Sequence, residues 1–337
     1  MKLIRFLLFP FAVLYDLITT IRTILFDVHY LKSTSFKIPI IIVGNLSVGG
    51  TGKTPQIEYL IRLLKDTYNV SVLSRGYKRK TKGFVFVNKN HTAKDVGDEP
   101  LQYFKKFTNI NVAVDENRVA GITNLIVQKS PEVVLLDDAY QHRKVKGSFY
   151  ILLTKYDDLF TDDFLLPTGN LRESRAGAKR ADVILVTKCP FNLKKEEKER
   201  IERKLRNYNK QVFFTMISYA DKISGSQEIS LKELKEFEVL LITGIANPSP
   251  FLEFLSKKDI KFIHLKYVDH HHFSSKEIEA IKEKFKSMNS DKKLILTTEK
   301  DYMRLNSKLN ELSFLEIETN FIENQHKFDA IIKGHIQ

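Results

Sequence analysis

A single cysteine, Cys189, and no tryptophan occur in the 337 residues of this chain. One cysteine excludes an internal disulfide framework and any cysteine-built zinc site. Cys189 itself reads as a small, reduced core residue. With 14 Gly and 9 Pro, the chain has too few of either for a collagen-like or low-complexity class. Its 43% hydrophobic share is too high for a disordered one. No segment repeats at the roughly 20–50-residue periods of solenoids and propellers. Acidic residues are in deficit: 54 Lys plus Arg face 41 Asp plus Glu, a net charge of +13. That excess calls for an anionic partner. Because the charge is spread along the chain and no zinc-finger pattern accompanies it, no nucleic-acid partner is expected. The length predicts two domains at roughly 150 residues each.

A long uninterrupted apolar run is also missing. Phe6 to Tyr15 carry no charge, but Asp16, Thr20, Thr23 and Asp27 then recur on one helical face. Leu7, Phe11, Leu14, Ile18, Ile21 and Leu25 share another. This pattern predicts an amphipathic helix on or shallowly in a membrane surface rather than a clean span. Lys2 and Arg5 precede it as in a secretory signal, but no small-residue cleavage site follows, which argues against a cleaved leader. Lys32 and Lys37 would favour anionic headgroups.

What is present is a phosphate-binding loop in its proper setting. A buried strand over 38–43 runs into Gly44-Asn45-Leu46-Ser47-Val48-Gly49-Gly50-Thr51-Gly52-Lys53-Thr54, and a helical pattern follows from Pro55. Strand, glycine loop and helix are the context of a P-loop. Gly49, Gly50, Thr51 and Gly52 would turn backbone N–H groups onto the β-phosphate. Lys53 would neutralise the β- and γ-phosphates, and Thr54 would ligate Mg²⁺. The general pattern wants glycine where this chain has Ser47. A second apolar strand, Val133 to Leu136, ends in Asp137-Asp138, the position of the carboxylate that orients Mg²⁺. Adjacent side chains on a strand point to opposite sides, so one aspartate can serve the metal and the other something else.

A P-loop does not choose between kinase, ATPase switch and GTPase. Partitioning-type ATPases carry a lysine where this chain has Val48, and the guanine-reading Asp is replaced by Pro190 in Thr187-Lys188-Cys189-Pro190. Thr298-Glu299-Lys300-Asp301 is a nearer lookalike, but it lies far along the chain. Kinase chemistry needs a base near the γ-phosphate, and Gly97-Asp98-Glu99-Pro100 offers two carboxylates on a glycine-hinged loop. Asp269-His270-His271-His272 supplies imidazoles, one of which could pair with Asp98 or with the 137/138 aspartates. Arg172, after a Pro/Gly loop, could stabilise transition-state charge. Arg75, after the strand Val70 to Leu73, could hold a substrate phosphate.

These motifs in this order resemble the tetraacyldisaccharide 4′-kinase family, the inner-membrane kinases of lipid A synthesis. The resemblance runs from the P-loop through Ser74-Arg75-Gly76-Tyr77, Gly97-Asp98-Glu99-Pro100, Asp137-Asp138 with Gln141-His142, Leu171-Arg172-Glu173 and Asp269-His270 to Thr298-Glu299-Lys300-Asp301. Ala139-Tyr140 stands where the family usually has Gly-Phe. The resemblance implies transfer of the ATP γ-phosphoryl to the 4′-hydroxyl of a tetraacylated glucosamine disaccharide 1-phosphate, giving lipid IVA. It implies Asp98 as base, His270 as its partner (His271 being the neighbouring alternative) and Asp138 as support for that pair. Lys53, Thr54 and Asp137 would serve ATP and Mg²⁺, while Arg75 and Asn45 would meet the lipid substrate. The implied setting is the cytoplasmic face of the bacterial inner membrane, with no obligate protein partner. A P-loop ATPase or GTPase switch acting on a protein or membrane partner is the alternative.

Apolar strands alternating with helical patterns predict an α/β fold, a mostly parallel sheet covered on both faces. The expected division is a membrane helix over 1–37, a P-loop kinase core over 38–211, and a linker strand with a smaller α/β domain over 212–337.

Overall fold

The computed structural model describes residues 5–337; Lys2 lies outside the described residues. Helix α1 spans Phe9–Asp27. The larger unit holds strands β1 (Ile40–Asn45), β2 (Val70–Ser74), β3 (Val85–Phe86), β4 (Asn111–Val114), β5 (Val133–Asp137), β6 (Phe149–Lys155) and β7 (Val183–Thr187). Its helices are α2 (Lys53–Leu64), α3 (Ala93–Val96), α4 (Asp98–Lys106), α5 (Arg118–Lys129) and α6 (Lys195–Leu205). After it come β8 (Gln211–Gly225), β9 (Ile229–Ser230), β10 (Glu238–Thr243), β11 (Phe262–Lys266), β12 (Lys293–Thr298) and β13 (Leu312–Phe321). Helices α7 (Ser249–Lys257), α8 (Ser275–Lys286), α9 (Glu299–Leu305) and α10 (Gln325–Ile336) complete the chain.

The strands form one 13-stranded sheet in the order β11-β10-β12-β13-β8-β7-β6-β1-β5-β2-β4-β3, with β9 on β8. Strand β1 pairs in parallel with β5 and β6, so its C-terminal end opens at the point where neighbouring connections diverge, the usual ligand crevice of such sheets. Both faces of β1 are covered: Ile41 and Val43 join the cluster that includes Ile57, Leu60 and Ile61 of α2. Ile40 and Ile42 join the cluster with Ile122 and Leu125 of α5. That is why β1 is apolar at every position from Ile40 to Val43 instead of alternating.

Two expectations change here. The linker strand expected at the start of 212–337 is part of a 15-residue strand. It pairs in parallel with β7 at its start and antiparallel with β13 along its length, making one continuous sheet. The last helix does not stay with the second unit. Phe328 and Ile332 of α10 pack into the core beneath α2, and Tyr59 donates a hydrogen bond to Asp329. The apolar face of α10 finds its cover on the P-loop unit. Strand β3 is a short antiparallel edge on β4.

Helix α1 is held by its polar edge. Tyr15 donates to the Arg172 carbonyl at 2.8 Å, and Arg143 donates to the Thr23 carbonyl at 2.9 Å while pairing with Asp27 at 2.7 Å. Only Ala12 and Phe26 are buried in it. Leu7, Phe11, Leu14, Ile18 and Ile21 face outward and exposed. The helix is long and apolar enough to cross a bilayer, with a mean hydropathy of 1.5, but one of its edges is bonded to the protein.

Candidate active site

The nucleotide loop connects β1 to α2. Gly49 and Gly52 take φ values of 104° and 85°, a region that costs little only for glycine. Lys53 is the first residue of α2. Its ammonium lies 3.3 Å from Asn45 Oδ1 and 3.4 Å from Asp138. Asn45 is fully buried, and its amide also donates to the Ser47 carbonyl at 2.6 Å. Asn45, expected to contact substrate, is the last residue of a fully covered strand, and its side chain bonds the loop from inside. Thr54 follows Lys53 half-buried, and Thr51 is buried with its carbonyl accepting from Thr187 at 2.8 Å.

The two aspartates at the end of β5 have different surroundings. Asp137 is buried and accepts one hydrogen bond, from the Ser74 hydroxyl at 3.3 Å. Burial first, and then the charges of Asp138 and Glu99, push its pKa up to about 7. Asp138 has a left-handed backbone, φ 49°. Arg172 donates to both its oxygens at 3.2 Å. Burial would raise Asp138, but the Lys53 and Arg172 charges outweigh it and hold the carboxyl below its ordinary value. Asp138 was expected to support the Asp98–His270 pair. Its carboxylate pairs here with Lys53 and Arg172. Arg172 belongs to a loop stitched to the P-loop: its N–H donates to the Leu46 carbonyl at 2.7 Å, and Val48 N–H donates to Asn170 at 2.7 Å.

Asp98 opens α4 behind Gly97, whose φ is 94°. A Cβ on Gly97 would stand 3.1 Å from the Gly76 Cα. That close crossing of two glycines brings Asp98 beside the end of β2. His270 reaches it from the other unit: Nδ1 lies 3.0 Å from Asp98 Oδ2, and Nε2 lies 2.9 Å from the Lys300 ammonium. A lysine can only donate; with Nε2 accepting from Lys300, Nδ1–H is left to donate to Asp98, and Arg304 Nη2, 3.0 Å from Nδ1, then serves the Asp98 carboxylate rather than the ring. Lys300 also pairs with Glu99 at 3.1 Å. Arg304 grips Asp98 with two donors, Nε to Oδ1 at 2.8 Å and Nη2 to Oδ2. Burial would raise Asp98, but these Arg304 and His270 bonds hold its carboxyl well below the usual range. His271 points away, 2.8 Å from Glu277 at the start of α8. Asp98, Glu99 and His270 stand close enough together to hold a metal ion, but Lys300 and Arg304 already supply the positive charge there.

Arg75 is exposed and lines a cavity of about 330 Å³ with Tyr77, Lys78, Arg79 and Thr81. Tyr77 meets the His270 ring edge-on, 5.3 Å between centroids, so this cavity adjoins the Asp98 pair.

A family model described as tetraacyldisaccharide-1-P 4′-kinase matches residues 4–337. The chain belongs to that family. It is 55% identical to the tetraacyldisaccharide 4′-kinase of Flavobacterium johnsoniae, over all of this chain and 98% of that protein. It is 45% identical to that of Bacteroides thetaiotaomicron, over 98% and 93%. The crystal structure of LpxK from Aquifex aeolicus in complex with ATP superposes with a TM-score of 0.80 at 30% identity, covering 99% of this chain and all of that one.

Several residues at the heart of this family member's site carry no clear mark in the sequence. Arg304 sits three residues after Asp301 on α9, and Asp301 holds it from the other side at 3.2 Å. Asp301 in turn accepts from the Gly244 N–H and the Thr298 hydroxyl, both at 2.8 Å. The motif that looked like a guanine reader is therefore the scaffold of the Asp98 pair. A signal existed: Thr298 to Asp301 caps a helix, and a helix places position i+3 on the capped face. Arg118, buried at the start of α5, was missed too. Burial draws it down to about 10, and among the charges around it are Asp137, Arg75 and Asp138. Nothing in its local sequence marks it.

Proposed function

We propose that this protein transfers the γ-phosphoryl group of ATP to the 4′-hydroxyl of a tetraacylated glucosamine disaccharide 1-phosphate, giving lipid IVA in lipid A biosynthesis. The observation that carries the reading is Asp98. It is a buried carboxylate kept ionised by Arg304 and oriented by His270, and it stands at the same edge of the sheet as the P-loop. Phosphoryl transfer has a loose transition state, so the acceptor oxygen sheds its proton late, once bonding to phosphorus has made that proton acidic. A carboxylate already aligned and ionised is suited to receive it. Lys53 and Arg172 bracket Asp138 and would shift toward the γ-phosphate when ATP binds. A simple switch has no use for a buried, Arg-held base.

The donor set fits Mg²⁺. Asp137 is a buried carboxylate with one hydroxyl for company, and burial keeps it from ionising fully. A hard divalent cation bound by Asp137 and Thr54 would restore its charge and neutralise phosphate oxygens. Asp98 comes from the larger unit and His270, Lys300 and Arg304 from the smaller. Movement of the units, divided at about residue 211 with α10 returned to the larger one, would therefore assemble or open the pair.

The test is transfer of ³²P from [γ-³²P]ATP to a detergent-dispersed tetraacyl disaccharide 1-phosphate. Labelled lipid is expected. ATP hydrolysis without lipid labelling would favour a switch. Helix α1 would keep the protein on the cytoplasmic face of the inner membrane, its outward leucines and isoleucines in the acyl region while the substrate's own chains stay in the bilayer. Replacing Leu14, Ile18 and Ile21 together with aspartate is expected to move the protein from the vesicle fraction to the supernatant in a flotation assay. Unchanged flotation would mean that another surface docks.

A further inference from the structure

Lys188 has no part in the chemistry assigned to Lys53, Asp98 and Asp137. It stands one residue beyond β7, in the Thr187-Lys188-Cys189-Pro190 segment that cannot read guanine. Three observations place it at the nucleotide loop. The Thr187 hydroxyl donates to the Thr51 carbonyl at 2.8 Å and to the Thr154 carbonyl at 3.2 Å, tying the end of β7 to the P-loop. Lys188 itself has a left-handed backbone, φ 58°, unusual for a residue with a Cβ. Its ammonium lies 3.9 Å from where a Cβ on Gly50 would stand.

The charges there are unbalanced. Among the described residues Lys188 makes no ion pair, while neighbouring Lys155 is satisfied by Asp158 at 2.9 Å. Burial, and then Lys155 and Lys53, pull the Lys188 ammonium below its ordinary pKa, with Asp157 acting the other way. Lys53 at the start of α2 and Lys188 just past β7 thus flank one glycine loop, and an anion between them would relieve the repulsion. The loop's own first lysine is replaced by Val48, so the cation that related loops borrow from a partner is absent from that position.

We propose that Lys188 is a second nucleotide-binding lysine, contacting the ATP phosphate chain at Gly50 from the β6–β7 side while Lys53 contacts it from the helix side. This deepens the nucleotide reading of the site and rests on it.

The experiment compares wild type, Lys188→Met and Lys188→Arg in the ³²P assay and in thermal melts with and without ATP. Losing a charge-assisted phosphate contact is expected to raise the KM for ATP about ten- to a hundredfold. The KM for the lipid stays within twofold, and most of the ATP-induced rise in Tm disappears. Lys188→Arg, which keeps the charge, is expected to restore the ATP-induced rise. The nucleotide-free Tm should match wild type in both variants. A Lys188→Met enzyme whose KM for ATP stays within twofold of wild type, with its ATP-induced stabilisation intact, overturns the proposal. So does a nucleotide-free Tm that falls in both variants while the KM for ATP holds, since that assigns Lys188 to the fold. Wild-type protein that is stabilised by ATP but labels no lipid would defeat the lipid-kinase reading and leave the Lys188 comparison standing on the melts.

Discussion

Replacing Asp98 with asparagine is expected to lower phosphoryl transfer by about 10²- to 10⁴-fold, the usual worth of a positioned proton acceptor. The substitution keeps the side chain's shape and its place at the start of α4. It removes the charge that Arg304 grips and the oxygen lone pairs that would take the hydroxyl proton. Arg304 keeps Asp301 as a partner at 3.2 Å, so the helix that carries it should hold its position. The hydrogen bonds and ion pairs of the Asp98 carboxylate go to His270 and Arg304, outside the P-loop, and ATP binding should therefore survive. Single-turnover transfer at saturating ATP, alongside nucleotide binding followed by fluorescence, separates the two. A rate within a few-fold of wild type would remove Asp98 from the chemistry. His270→Ala should fall less steeply, because Arg304 alone still holds the carboxylate ionised and oriented.

The second large effect is on stability. Lys106, at the far end of the helix that begins with Asp98, is surrounded by Glu58, Glu299 and Glu316 at 2.9, 2.9 and 3.0 Å. Glu58 and Glu299 are buried. Glu58 also faces Arg62 at 3.7 Å and accepts from Gln102 at 2.7 Å, while Arg62 lies 3.6 Å from Glu318 on β13. This junction joins α2, α4, α9 and β13, and the three helices among them carry Lys53, Asp98 and Arg304. Lys106→Met would strand two buried carboxylates, a change that costs about 3–5 kcal/mol when one partner of a buried pair is lost. Burial and then the charge of Glu58 already push Glu299 up to about 8. Its value in the unfolded chain is ordinary, near 4.5, so between these values the folded protein binds more protons than the unfolded one. Stability from this group is complete below pH 4.5 and is lost as pH rises toward 8. Without Lys106 the carboxylates are harder still to ionise, and the loss should become steeper and reach to higher pH. Urea denaturation of both proteins at pH 6 and pH 9 checks this. Equal midpoints at both pH values would mean that the cluster contributes nothing.

Much of the site is legible in the sequence because its parts are local. A P-loop is contiguous: strand, glycines, lysine and helix lie within one stretch, and each glycine's role follows from its backbone. The Asp137-Asp138 pair is legible for the same reason, as the end of an apolar strand. Their different surroundings come from the chain leaving the strand at Asp138 with a left-handed backbone. Their individual partners do not follow: Asp138, expected beside the Asp98–His270 pair, meets Lys53 and Arg172 here. The choice of His270 over His271 was equally out of reach. Three consecutive histidines differ only in direction, and direction is set by a left-handed turn at His270 and by the capping carboxylate of Glu277 that holds His271.

The amphipathic first helix, the nucleotide loop, the alternation of strands and helices in the first α/β unit and the family itself were written in the chain, since each rests on spacing or on residues close together. Only the folded protein decided what holds Asp98. Arg304 is separated from it by 206 positions, and no local pattern ties them. Nor could the sequence place α10 on the P-loop unit or show that β8 carries one sheet through both units. Those outcomes depend on which apolar faces and strand edges remain uncovered after the local elements form, and that is a property of the whole packed chain.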